Sequence, residues 1–275
     1  MLHFLNGKWV KEKDLTISIL DIAVLRGFGI FDFLRSYGQK PFMLKEHIDR
    51  FFNSAKIFGV TPVYTHQEIT DIVMEGIKKN NTNNVAIKIV QTGGVSVDGF
   101  TPGEKPSFFV FFTNAPVYPT EFYTKGIKLM TSPVMRQFPT GKSINYMASI
   151  TEVIKAQKKG AKDILHTDIK GNIYEATRSN FYGVKNGKLI TAEDGILLGI
   201  TRKVILQLAK RLKIPVIKKS IKVNQLSSLD EAFISNSGQE IVPVVQIDTI
   251  KIGTGKIGST TQLLMNEYKN ITRSI

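Results

Sequence analysis

The stretch Phe138-Pro139-Thr140-Gly141-Lys142-Ser143-Ile144-Asn145-Tyr146-Met147 sets one lysine between a proline and glycine break and an apolar-periodic helix that starts near Asn145. Proline and glycine interrupt regular structure, so Lys142 is read as lying in a loop that feeds a helix. Gly141 would let a ligand approach the backbone. Asn145, Tyr146 and Met147 would wall the amine with polar and apolar groups and no carboxylate. An amine held in that way can have its pKa lowered and attack an aldehyde. Taken alone, a loop lysine is a solvated amine.

Outward from this loop the chain alternates strands and helices. Asn6-Gly7 supplies the positive φ angles of a tight hairpin turn. A strand follows from Gly27 to a turn at Gly38-Gln39, and its alternation puts Phe31, Phe33 and Arg35 on one face. Arg35 there either stacks on the two rings or meets an anion. Ile48, Phe51, Phe52, Ala55 and Phe58 form the apolar stripe of a helix over residues 45–58, with Arg50 off the stripe. Thr65 to Glu68 reads as a capping box that opens the next helix. Residues 85–92 form a strand on which Lys88 is an edge or surface lysine, and residues 107–112 form a fully apolar strand.

Residues 113–122 carry two prolines in ten positions and are read as a linker between domains spanning 1–112 and 123–275. The second domain then carries Lys142. Hairpin turns are expected at Lys170-Gly171 and Asn186-Gly187, a helix at residues 201–212, short strands around 231–236 and 241–245, and a last helix from Thr260. Glu175 falls on a strand with Ile173 and Thr177 on its face, either as an exposed strand glutamate or as an anion aimed at a bound cation.

Bulk properties narrow the class. A chain of 275 residues with 42% hydrophobic and 22% charged content can bury a proper core. No apolar run reaches the roughly 18 residues of a membrane helix, and the N-terminus has no signal-peptide pattern, so the cytoplasm is the default. With no cysteine, disulfides and thiolate chemistry are excluded. Histidines 3, 47, 66 and 166 lack metal-ligand spacing, so no metal is expected. The net charge of +14 admits a nucleic-acid-binding protein. The excess is lysine spread through the chain, however, which reads as a solvated basic surface that also attracts anionic substrates.

Three motifs occur in order: Lys142-Ser143-Ile144-Asn145-Tyr146-Met147, then Glu175 and Asn180 in a Glu-x-x-x-x-Asn spacing, then Leu197-Leu198-Gly199-Ile200-Thr201-Arg202. Together they resemble the class IV, or fold type IV, pyridoxal-phosphate enzymes. This group holds the branched-chain aminotransferases, the D-amino-acid aminotransferases and aminodeoxychorismate lyase. The resemblance runs from about Asn6 to Gly258. It implies an α/β (α+β) fold of two domains like that of D-amino-acid aminotransferase, with pyridoxal 5'-phosphate bound in a homodimer whose partner lends a loop to each active site.

The resemblance also implies roles. Lys142 would hold the cofactor aldehyde and shuttle a proton, and Glu175, paired and ionised, would keep the pyridine nitrogen protonated, with Asn180 beside it. Arg50, in His47-Ile48-Asp49-Arg50, would hold the phosphate with Ile200 and Thr201 at a helix N-terminus and with Ser237 and Gly238 in a second loop. Leu198 would lie against the ring, and Tyr146 would reach its hydroxyl. Phe31, Phe33, Arg35 and Lys88 would face the substrate, Lys88 standing where branched-chain enzymes carry an arginine.

Some positions depart from the family. Phe31 stands where D-amino-acid enzymes have a carboxylate-binding tyrosine, and Thr92 where they have an arginine. Phe33 replaces a glycine or threonine, and Asp32 a common glutamate. The expected activity is transfer of an amino group between an L-amino acid, most simply branched-chain, and a 2-oxo acid, with aminodeoxychorismate lyase as the alternative.

Overall fold

The computed structural model describes residues 1–274, which form two compact units. The first unit comprises Met1–Pro116 and Gly141–Asn145, and the second Val117–Thr140 and Tyr146–Ser274. The lysine segment is thus part of the first unit, not of the second as expected from the linker. Residues 113 and 114 are likewise strand, and not linker.

The elements of the first unit are β1 (Leu2–Leu5), β2 (Lys8–Lys11), α1 (Ile22–Arg26), β3 (Gly29–Tyr37), β4 (Lys40–Pro41), α2 (Leu44–Phe58), α3 (His66–Asn80), β5 (Val85–Thr92) and β6 (Phe108–Asn114). Asn6 and Gly7 turn β1 into β2 with φ of 45° and 88°. The sheet order is β2-β1-β6-β5-β3-β4. One face packs on α2 and α3 through Ile30, Leu34, Ile87, Ile89, Val110 and Phe112, meeting Ile48, Phe51, Ile69 and Val73 of the helices. Thr65 caps α3 in the expected capping box.

The alternation on β3 buries Ile30, Asp32, Leu34 and Ser36 and half-buries Phe31, Phe33, Arg35 and Tyr37. Strand β6 alternates as well and is not buried on both faces. Strand β4 covers β3 only at Ser36 and Tyr37. The other end of that edge would leave backbone groups unpaired, and the lysine segment fills it. Phe31 N–H donates to the Lys142 carbonyl and Ile144 N–H to the Gly29 carbonyl, each at 3.0 Å. This pairing, invisible to local sequence, is the physical reason that Gly141–Asn145 belongs to the first unit.

The second unit runs α4 (Glu121–Thr124), β7 (Ile127–Ser132), α5 (Met147–Lys158), β8 (Asp163–Thr167), β9 (Asn172–Ala176), β10 (Asn180–Lys185), β11 (Lys188–Thr191), α6 (Ile200–Arg211), β12 (Val216–Lys218), β13 (Ile221–Lys222), β14 (Glu231–Asn236), β15 (Glu240–Ile247), β16 (Ile250–Lys251) and α7 (Ser259–Arg273). Its sheet follows β12-β11-β10-β14-β15-β7-β8-β9-β13. A further pairing of Asn180 with Glu175 joins β9 to β10 and closes six strands into a ring. Leu129, Leu165, Phe181, Ile234 and Val242 fill its core.

Helix α5 forms at Met147–Lys158, close to the expected start. Its stripe of Met147, Ile150 and Ile154 is exposed, while Ser149 and Ala156 are the buried positions. Among the described residues no helix is long and apolar enough to cross a membrane, and no cluster of three or more histidine, cysteine or acidic groups is placed to hold a metal.

Candidate active site

In the first unit, α2 and β3 position the Lys142 segment. Lys142 N–H donates to Ser54 Oγ at 3.0 Å, and Ser54 Oγ donates to the Arg50 carbonyl at 2.9 Å. Gly141 is required by packing: a Cβ there would lie 2.4 Å from the Phe58 ring. The Lys142 side chain is 8% exposed, with Nζ 4.4 Å from the centre of the Phe31 ring. It is therefore not the solvated amine of the bland reading.

The half-buried face beyond it is aromatic. Phe33, Lys88 and Phe111 lie side by side across β3, β5 and β6. Lys88 Nζ sits 5.3 Å from the Phe31 ring and 5.2 Å from the Phe111 ring. Strand β5 is interior to the sheet, so Lys88 is not an edge lysine. Arg35 stacks over Tyr37, at 4.6 Å.

Arg50 and Asp32 form a fork. Arg50 Nε donates to Asp32 Oδ2 at 2.8 Å and Nη2 to Oδ1 at 2.9 Å. His47 Nδ1 lies 2.6 Å from the same Oδ1. Asp32 is fully buried, and the neighbouring arginine and imidazole hold its carboxyl well below the usual range in spite of that burial. Burial lowers the pKa of His47, so the contact is a neutral imidazole N–H donating to a carboxylate and not an ion pair.

In the second unit, ring closure sets Glu175 beside Asn180. Glu175 is 4% exposed and Asn180 5%. Glu175 Oε2 accepts from Leu197 N–H at 3.1 Å and from Asn180 Nδ2 at 3.3 Å. Glu175 Oε1 accepts from Arg136 Nη1 at 2.8 Å. The pyridinium expected to pair with Glu175 thus has a counterpart within the chain. Arg136 escaped the sequence reading because its partner lies 39 residues away and no local pattern marks it.

Asn180 Nδ2 also donates to the Leu197 carbonyl at 2.8 Å. Its Oδ1 would be 2.1 Å from a Cβ on residue 199, so Gly199 is the residue that fits there. Gly199 brings no capping side chain to α6. The first N–H groups of this helix, at Ile200 and Thr201, therefore keep the donor character that suits an anion. Arg202 anchors the turn by donating to the Ala192 carbonyl at 2.8 Å. Leu198 is exposed and Tyr146 is half-buried at the start of α5.

The second donor loop differs from expectation. Asn236 Oδ1 accepts from Gly238 N–H at 2.8 Å and Gln239 N–H at 2.7 Å, so these donors turn inward. Tyr182 stacks on Phe233 and shares a 3.0 Å hydrogen bond with Ser235 Oγ. Ser237, half-buried at the turn, is the hydroxyl of this loop with no such internal bond.

Residues 29–247 match the sequence family described as Amino-transferase class IV. The chain is 37% identical over 98% of its length to a protein of Methanocaldococcus jannaschii named "Putative branched-chain-amino-acid aminotransferase", of which 96% is covered. It is 32% identical, over 98% of both chains, to a D-alanine aminotransferase of Staphylococcus epidermidis. Its fold superposes on the Escherichia coli branched-chain amino acid aminotransferase with a TM-score of 0.92 at 27% identity, over 98% of this chain and 94% of that one. The chain belongs to the class IV aminotransferase family and has the mixed α/β architecture of fold type IV. It is an aminotransferase.

Proposed function

We propose that this aminotransferase binds pyridoxal 5'-phosphate and moves an amino group between a branched-chain L-amino acid and a 2-oxo acid, working as a homodimer. The residues present suit the cofactor: a buried amine at Lys142, a buried carboxylate at Glu175, an uncapped helix start at Ile200 and Thr201, and a fixed guanidinium at Arg50. When bound, the cofactor would supply the electron sink that lets a substrate Cα give up its proton. Lys142 would be the group that takes that proton and returns it. Glu175 and Asn180 would hold the pyridine nitrogen, Tyr146 the ring hydroxyl, and Leu198 one face of the ring. Arg50, Ile200, Thr201 and Ser237 would hold the phosphate, with Gly238 shaping the turn.

The observation that carries the substrate reading is the face of Phe31, Phe33, Lys88 and Phe111, which offers apolar wall and one amine beside Lys142. Such a wall suits a branched aliphatic side chain, and the Lys88 amine suits a carboxylate. Arg35, tied to Tyr37, borders that face. D-Alanine transfer is the second reading, favoured by the staphylococcal relatives. Against it, Phe31 has no hydroxyl, and Thr92 is buried with its own hydroxyl donated to Asp21 Oδ2 at 2.7 Å.

The test follows the absorbance of bound cofactor while single amino acids are added. L-Leucine, L-isoleucine and L-valine should convert it and D-alanine should not; faster conversion by D-alanine would reverse the assignment. Pyruvate released from aminodeoxychorismate with no acceptor oxo acid would assign the lyase reaction instead.

The dimer is supported by an apolar patch on the first unit. Ile19, Leu20, Val24, Val97 and Phe100 are all exposed. Ser96 N–H donates to the Leu20 carbonyl and Ile22 N–H to the Gly94 carbonyl, which holds the two segments together. A contiguous patch of this kind marks an association surface. Phe100→Asp should shift the chain from dimer to monomer in sedimentation experiments.

A further inference from the structure

We propose that Asp32 is the positioning residue for Arg50, fixing the guanidinium so that Nη1 is the donor presented to the cofactor phosphate. The proposal rests on the reading of Arg50 as a phosphate ligand and adds what makes it competent. Three observations carry it. Asp32 occupies a core-facing position of β3 whose neighbours on that face are Ile30 and Leu34, so a carboxylate is out of pattern there. Burying it costs several kcal/mol unless its oxygens are met by donors, and Nε and Nη2 of Arg50 meet both, with His47 as a third donor. Those two nitrogens lie on one edge of the guanidinium plane, which leaves Nη1 with no hydrogen bond among the described residues.

The arrangement also locks the arginine to the lysine segment. Arg50 contributes its carbonyl to Ser54, Ser54 holds the Lys142 amide, and Asp32 ties the same helix to β3. Asp32 partly neutralises Arg50 and so weakens its pull on an anion. What it contributes is orientation, because a forked pair removes the rotations a free arginine would have to lose on binding. His47 supports the carboxylate from behind without adding charge. Its Nδ1 is 3.4 Å from Arg50 Nη2, but the hydrogen it carries is already directed at Asp32. The short aspartate side chain reaches both Arg50 donors without displacing β3 or α2 from their packed positions.

The experiment titrates the full-length apo protein with pyridoxal 5'-phosphate and, separately, with pyridoxal, which lacks the phosphate. Asp32→Asn should weaken pyridoxal phosphate binding by about 10- to 100-fold, the scale at which outer partners of a bound ion act, and leave pyridoxal binding unchanged. Added to Arg50→Met, the same change should have no further effect on either ligand. Asp32→Glu, which keeps the charge and both acceptors, should retain tight binding. Equal losses for pyridoxal phosphate and pyridoxal in Asp32→Asn would overturn the proposal, because they would mark general damage to the fold.

A second measurement needs no Asp32 variant. In the wild-type apo protein, the Arg50 side-chain N–H signals, assigned by their loss in Arg50→Met, should show hindered rotation and slow exchange with solvent. A freely rotating guanidinium would overturn the proposal even if Asp32→Asn failed to fold. Wild-type affinity for pyridoxal phosphate in Arg50→Met would remove the phosphate role of Arg50 itself, whatever the mobility of its side chain.

Discussion

Lys142, buried against the Phe31 ring and pinned through its amide to Ser54, is the residue proposed to carry the proton transfer. A proton-transfer group of this kind contributes about 10²- to 10⁴-fold. Lys142→Ala should lower kcat by at least that range, and borohydride should no longer attach cofactor to the chain; full turnover in this variant would remove Lys142 from the reaction. Arg136 makes a different demand. Its side chain is 13% exposed and that of Glu175 5%, so the pair is largely out of water. Arg136→Leu would break a largely buried ion pair by removing one of its members, at a cost of about 3–5 kcal/mol. Urea unfolding should show that loss, whereas an unchanged midpoint would mean that water reaches Glu175. Lys142, Glu175 and Arg50 could be singled out in the sequence as candidates because motifs carry them. Arg136 and Asp32 could not, since each is defined by a partner that only the tertiary fold brings near.

At the level of elements, strands and helices were legible wherever alternation, capping residues and turn dipeptides agreed. The Thr65 capping box, the Asn6-Gly7 turn and the Asn186-Gly187 turn all formed as read. Two features were not legible. Sequence order assigned the lysine loop to the second half of the chain, but an open edge on β3 captured it through two backbone hydrogen bonds. The stripe on α5 had the right period for a core helix, yet Met147, Ile150 and Ile154 face outward; periodicity marks an apolar face without saying what covers it. The captured loop leads to a prediction at this scale. Gly141 has no room for a side chain beside Phe58 and Ile57. Gly141→Ala must push the segment off its edge or displace α2, costing about 1–3 kcal/mol as overpacking does. Thermal unfolding should register the cost, and cofactor incorporation should fall with it; a variant as stable as the parent would mean that the loop yields freely.

Across the whole molecule, stability should depend on pH through its buried histidines. His3, His47 and His166 are each buried, and desolvation lowers the pKa of each below its ordinary value. His166 Nδ1 lies 2.5 Å from the Val134 carbonyl, a bond that favours the charged ring but is outweighed by burial. In the unfolded chain these imidazoles titrate near about 6.5. The unfolded state therefore binds more protons below that pH, and stability is full above it and falls as the solution is acidified towards the folded values. Asp32, with its depressed carboxyl, acts in the same direction but only below the ordinary carboxylate range. Asp163, whose carboxyl is raised by burial, acts in the opposite direction there. Between about pH 6.5 and 5 the histidines stand nearly alone, each weakening the fold by up to about 1.4 kcal/mol per pH unit while it titrates only in the unfolded state. The urea midpoint of the apo protein should be level from pH 8 to 7 and decline from 6.5 to 5. His166→Gln, which cannot take up a proton, should make the decline shallower by up to one histidine's share. A midpoint that stays level to pH 5 would mean that the buried imidazoles are protonated in the folded chain, and the neutral hydrogen bond assigned from His47 to Asp32 would then have to be an ion pair.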